Sequence, residues 1–141
     1  MDEAKIKLVR QWLTKSLHDL TSAEGLAALE DPLLDTAIFH CQQAAEKAVK
    51  ALLVSHDQRF EKTHNIVKLI EMAMPFAPEL SSFLRDASML TPYVALYRYP
   101  DENIQPDQEE FDRALAAARK IYDAVLALLP GEVNPLGAGK K

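Results

Sequence analysis

Two short segments carry the residues best suited to chemistry. In "RFEKTH", Arg59 and His64 stand with four residues between them. A guanidinium can hold a phosphate through two parallel N–H bonds, and an imidazole can move a proton near neutral pH. Together they are the equipment for cleaving RNA through its own 2′-hydroxyl. The same two residues also have a plainer use, with His64 capping or packing at a helix start and Arg59 on an exposed loop. In "LYRYPDE", Arg98 is bracketed by Tyr97 and Tyr99 and followed by Pro100 and Asp101. Such a cluster can stack a base and neutralise a phosphate, because aromatic rings and guanidinium both present flat faces. Equally, Arg98 can pair with Asp101 and pin the loop against the rest of the molecule. The sequence shows no metal-ligand cluster and no Ser/His/Asp arrangement, and with only 4 glycines it has no phosphate-binding glycine loop. No cofactor is expected.

A third group of polar residues lies in "IFHCQQAAEKAVKALL", Ile38 to Leu53. Its apolar positions Leu34, Ile38, Cys41, Ala45, Ala48 and Leu52 recur at helical spacing, with Ala44, Val49 and Leu53 beside them. At 100° per residue, Phe39, Gln43, Glu46 and Lys50 fall on the side away from this seam, with His40 and Lys47 next to them and Gln42 toward the core. Charges on such a face are expected to be solvated, with Gln43 and Lys47 or Glu46 and Lys50 as neighbours one turn apart. Phe39 does not suit a solvated face. It is expected to lie under a loop or at a subunit contact.

The elements that must position these groups are helices. Ile6, Val9, Leu13, Leu17, Leu20 and Ala27 trace an amphipathic stripe over about residues 4–29, with Trp12 at its edge. "EDPLLD" interrupts it, and Asp31 as cap with Pro32 in the first turn would open helix two. After "SHDQRFEKT", Thr63 is expected to cap a third helix through Ile66, Leu69, Ile70 and Ala73, which Pro75 and Pro78 end. A short helix through Leu80, Phe83 and Leu84 follows. "TPYVALYRYPDENIQPDQ" carries no helical stripe and reads as a long loop, a kind of segment that often bears function. Asp107 and Glu110 then fit a capping box, and Phe111, Ala114, Leu115, Ala118, Ile121, Tyr122, Val125, Leu128 and Leu129 trace the last helix. No segment alternates with period two. The expected fold is all-α, an up-and-down antiparallel bundle of four main helices with a short extra helix.

A chain of 141 residues, 48% of them apolar, has room for one core and one domain, placed here at residues 1–130. The remainder, 131–141, is rich in Gly and Pro and is expected to be a disordered tail. The single cysteine excludes a disulfide within one chain. A net charge of −5 argues against bulk attraction to nucleic acid while permitting a local basic pocket. No apolar run is long enough to span a bilayer and no signal-peptide core is present, so a cytoplasmic location without membrane association is expected.

Together, Trp12 with Asp19 and Leu20, "FHCQQAAEKAVKALL", "KTHNIVKLI" and "YVALYRYPDE" before an alanine-rich helix resemble the HEPN domain, named for higher eukaryote and prokaryote nucleotide-binding. The resemblance runs from about Lys7 to Leu129. It implies a bundle that is commonly a homodimer and often paired with a minimal nucleotidyltransferase in a two-gene toxin and antitoxin system. Some members are metal-independent RNases using an Arg, four to six residues and a His before the last long helix; others are proposed to bind nucleotides or serve as scaffolds. Arg98 corresponds in place to that arginine, but Asn103, Ile104 and Gln105 stand where the histidine is required. The resemblance therefore points to a nucleotide-binding or scaffold protein partnered by a nucleotidyltransferase. The alternatives are an RNase toxin using Arg59 and His64, or Arg98 with a histidine from elsewhere in the dimer, and a structural dimer without ligand. It also implies a phosphate at Arg98, a base or dimer contact at Tyr97 or Tyr99, and further donors at Lys47, Lys50, Lys62 and His64.

Overall fold

A computed structural model of the chain describes residues 1–100 and 104–137. Among the described residues, five α-helices make up the fold: α1 (Glu3–Ala27), α2 (Leu34–Ser55), α3 (Ile66–Ala73), α4 (Leu84–Leu90) and α5 (Gln108–Ala127). Three 3₁₀ turns join or follow them, at Pro78–Phe83, Thr91–Val94 and Gly131–Val133. The architecture is the expected all-α bundle, with α1, α2, α3 and α5 as its main helices and α4 as the short one.

α1 starts where Asp2 accepts from Lys5 N at 2.8 Å, and its buried stripe is Val9, Leu13, Ser16, Leu20 and Ala23. It packs antiparallel to α2 along most of its length. The alanines of α2 let the two helices approach closely, and the buried Ser16 hydroxyl bonds the Ala44 carbonyl at 2.6 Å. α5 starts on Asp107, which accepts from Glu110 N at 2.8 Å. The pairing of Arg119 with Glu24 and of Arg10 with the Glu132 carbonyl runs α5 and its extension antiparallel to α1. α5 thus lies beside α2 in the same direction, an arrangement that the excursion through α3 and α4 makes possible.

α2 is the centre of the molecule. It packs against α1, α5, α3 and the 3₁₀ turn at Thr91–Val94, and most of its residues from Ala37 to Leu53 are buried. Its polar side is therefore not the solvated face that periodicity suggests: Gln42, Glu46 and Lys50 are all buried. A periodic pattern ranks the sides of a helix by polarity, but the number of neighbours around the helix decides whether its polar side meets water.

Other local details also depart from the sequence reading. α2 begins at Leu34 after Leu33, which makes no side-chain cap, rather than at Asp31 and Pro32. α3 is capped by Asn65, whose side chain accepts from Lys68 N at 3.3 Å, while Thr63 Oγ1 accepts from Asn65 N at 3.1 Å one step earlier. The Glu110 carboxylate does not close a capping box, because two tyrosines take it. The tail is anchored for part of its length. Val133 is fully buried against the bundle, and Arg10 donates from Nε to the Glu132 carbonyl at 3.1 Å. Residues 138–141 lie outside the described residues.

Candidate functional site

Three polar clusters surround α2, and they sort the predicted residues. The first is built on Glu46, which is 3% exposed. Its Oε2 accepts from Lys50 Nζ at 2.9 Å, one turn along the helix. Its Oε1 faces His64 Nδ1 at 2.9 Å and accepts from Gln42 Nε2 at 3.1 Å. Burial alone would push this carboxyl up. The hydrogen bonds from Lys50, His64 and Gln42, with the charge of Lys50, outweigh it and hold the group below the usual glutamate range. Lys50 Nζ also lies 5.8 Å from the Trp12 ring centroid and 5.5 Å from that of Phe60, two rings in edge contact with each other. Lys50 is thus consumed by packing. His64 keeps an exposed ring, with its Nδ1 edge tied to Glu46. Arg59 and Lys62 are exposed.

The second cluster repeats this logic on the α1 side. Asp19, 7% exposed, meets His40 Nδ1 through Oδ1 and Lys47 Nζ through Oδ2, each at 2.7 Å. Lys47, expected to be a free donor, is therefore neutralised by a carboxylate from another helix. In each case one carboxylate serves one lysine and one histidine.

The third is the loop that returns the chain to α5. Glu110 accepts from Tyr93 Oη at 2.6 Å and from Tyr97 Oη at 3.0 and 2.9 Å, and the two rings stack. Burial and the Glu110 carboxylate push both phenols above the usual tyrosine range. Tyr97 has a φ of 71°, in the left-handed region that a bulky residue rarely adopts. The turn sends Tyr97 toward α5 and Arg98 toward α2. Arg98 donates to the Val94 carbonyl at 3.1 Å, and its guanidinium carbon lies 4.3 Å above the Phe39 ring. This explains Phe39: a loop covers it, as its place among charges implies. Asp101, the alternative partner of Arg98, lies outside the described residues.

Arg98, Tyr97, Phe39, His40, Asp35 and Thr36 line a cleft of about 250 Å³ at the start of α2. A larger apolar hollow of about 680 Å³, lined by Leu96, Tyr99, Ile104 and their neighbours, adjoins it across Tyr97. Of the predicted nucleotide ligands, then, Arg98 and Tyr97 meet in one cleft and Tyr99 lines the next. Lys47 and Lys50 are held in ion pairs, and Lys62 and His64 do not line either hollow. Sequence reasoning placed Phe39 and His40 on the polar side of α2 but did not connect them to Arg98, because more than fifty residues separate them in the chain.

A model of the HEPN domain matches residues 9–128. The chain belongs to the HEPN family. This HEPN protein is similar over 86% of its length to TT1696 from Thermus thermophilus, at 30% identity and a TM-score of 0.76, with 98% of that chain covered. It also shares its fold with ST0689, an archaeal HEPN homologue, at 24% identity and a TM-score of 0.63, covering 85% of this chain and 96% of that one. No curated protein matches it. Among the described residues, no helix is long and apolar enough to cross a membrane, and no group of three or more His, Cys, Asp or Glu side chains could hold a metal ion.

Proposed function

We propose that this HEPN protein is the nucleotide-binding component of a two-gene, toxin–antitoxin-like system. On this reading it acts as a cytoplasmic homodimer with a minimal nucleotidyltransferase. The observation that carries the proposal is the cleft in which Arg98 lies over Phe39 beside His40. A guanidinium supplies donors for phosphate, and a protonated imidazole beside it supplies another. The adjoining apolar hollow around Tyr99 offers space to a base or to a partner subunit.

A binding role is favoured over RNA cleavage. Neither Arg59 nor His64 lines the two hollows, and His64 is tied through Nδ1 to a buried carboxylate that also serves Lys50. The test is a titration of the purified protein with nucleoside mono-, di- and triphosphates, followed by thermal shift and NMR, beside incubation with RNA in metal-free buffer. Nucleotide binding that Arg98→Ala abolishes, with RNA left intact, is the expected result. Cleavage of RNA that His64→Ala stops would replace the proposal with the RNase reading. Absence of any nucleotide response at millimolar concentration would leave a structural dimer. Co-purification with a nucleotidyltransferase encoded beside it tests the partnership separately.

A further inference from the structure

His40 has a feature that a surface histidine on a helix does not need. Its Nδ1 is fixed 2.7 Å from Asp19 Oδ1, and the other oxygen of that carboxylate is occupied by Lys47 at 2.7 Å. Asp19 is buried and sits on α1, so the ring is held from a second helix rather than by its own. With Nδ1 turned to Asp19, Nε2 has no hydrogen-bond partner among the described residues, on a ring that lines the cleft together with Arg98.

This geometry sets the tautomer. A neutral imidazole has one N–H and one lone pair, and a carboxylate at Nδ1 keeps the N–H there. Neutral His40 therefore presents a lone pair to the cleft, which repels an anion oxygen. Protonated His40 presents a second N–H, in the same cleft as a guanidinium that stays charged throughout. The cleft also opens on the first turn of α2, a 22-residue helix whose cap residue Leu33 offers no side-chain acceptor, so the positive end of the helix adds to the same field. Among the described residues, charged groups around His40 are Asp19 from α1, Lys47 and Asp35 from α2, and Arg98 from the loop. Asp35 opposes anion binding. Its Oδ1 accepts from Thr36 N at 2.8 Å, which keeps it at the rim.

We propose that this cleft is a proton-gated seat for a tetrahedral oxyanion, held between Arg98 and protonated His40, with Asp19 as the positioning residue. The inference rests on the nucleotide-binding reading only in naming the anion as a nucleotide phosphate. The seat itself would take any phosphate- or sulfate-type group. One consequence is that the ligand is retained more tightly when His40 is protonated than when it is neutral.

Sulfate is the suitable first probe, because its own charge is constant where a phosphate monoester titrates. The full chain is titrated with sodium sulfate at about pH 6 and about pH 8, following the His40 ring nitrogens and the Arg98 Nε–H by NMR. Binding linked to one proton should tighten by up to about tenfold per pH unit on the alkaline side of the transition. Free His40 at the higher pH should show the Nδ1–H tautomer. His40→Gln should bind sulfate weakly with no pH dependence and Asp35→Asn should bind more tightly at both pH values, each measured below its own unfolding transition because His40→Gln alters the contact to buried Asp19. Equal affinity at the two pH values, pH dependence that survives His40→Gln, or the Nε2–H tautomer in the free protein would overturn the proposal.

A second arm with adenosine 5′-monophosphate and adenosine separates the two readings. Gated sulfate binding without any gain from the nucleoside would support the seat and sink nucleotide recognition. Nucleotide binding that depends on Arg98 but not on His40 would do the reverse.

Discussion

Removing the Glu46 carboxylate should be the most damaging single change in this protein that leaves the apolar core untouched. Glu46→Ala strips Lys50, itself only 6% exposed, of its anionic partner, takes the carboxylate from His64 Nδ1, and leaves Gln42 Nε2 with only the His64 carbonyl. Breaking a buried ion pair from one side typically costs about 3–5 kcal/mol, because the remaining charge stays out of water. The Trp12 and Phe60 rings soften this, since each lies within 6 Å of Lys50 Nζ, by roughly 0.5–2 kcal/mol between them. The expected net loss is therefore about 1–4.5 kcal/mol, or roughly 3–15 °C in melting temperature for a domain of this size. Urea unfolding followed by far-ultraviolet circular dichroism measures it, and the fluorescence of the single tryptophan reports the local environment of Lys50. The double variant Glu46→Ala, Lys50→Met should recover most of the loss, because an apolar stem fits between two rings without a charge to desolvate. A Glu46→Ala protein within about 0.5 kcal/mol of the parent, or a double variant no more stable than the single, would refute the account of Lys50 as a buried charge that depends on Glu46. The same network fixes the response to acid. The folded-state pKa of Glu46 lies below its unfolded value, so its contribution is present above the ordinary glutamate range and is lost as pH falls through the lowered folded value.

Other measurements probe separate parts of the bundle. Cys41 is buried in the seam of α2, and burial pushes its thiol up to about 12, so it should resist iodoacetamide in the native protein and react once urea unfolds the chain. Tyr122 Oη is buried with no hydrogen-bond partner among the described residues, so Tyr122→Phe should be neutral or stabilise by up to about 1–2 kcal/mol in urea unfolding. Val133→Ala should cost about 1–2 kcal/mol in the same assay, because the turn after α5 is packed rather than free. Glu110→Ala removes the shared acceptor of Tyr93 and Tyr97. It should release the loop that carries Arg98, seen as faster amide exchange over residues 91–100 with α1 and α2 unchanged.

The sequence alone determined the helices, their approximate ends and the family, because these depend on local periodicity, on capping chemistry and on motifs contained within single segments. The stripe of α5, the stop at Pro75 and Pro78, and the cover over Phe39 were all legible without coordinates. What the charges do was not. The pairing of Glu46 with Lys50 was legible from their spacing but its burial was not, and Lys47 read as a free donor yet is paired with Asp19 of another helix. The polar side of α2 read as solvated, and the elements packed around it cover it. Only the tertiary structure decided that Arg98 would meet Phe39 and His40, and that Asp19 would orient His40 from α1. A residue's type states which interactions it can make. Which of them remain available to a ligand depends on partners brought near by chain segments far away in sequence, and no local pattern encodes that distance.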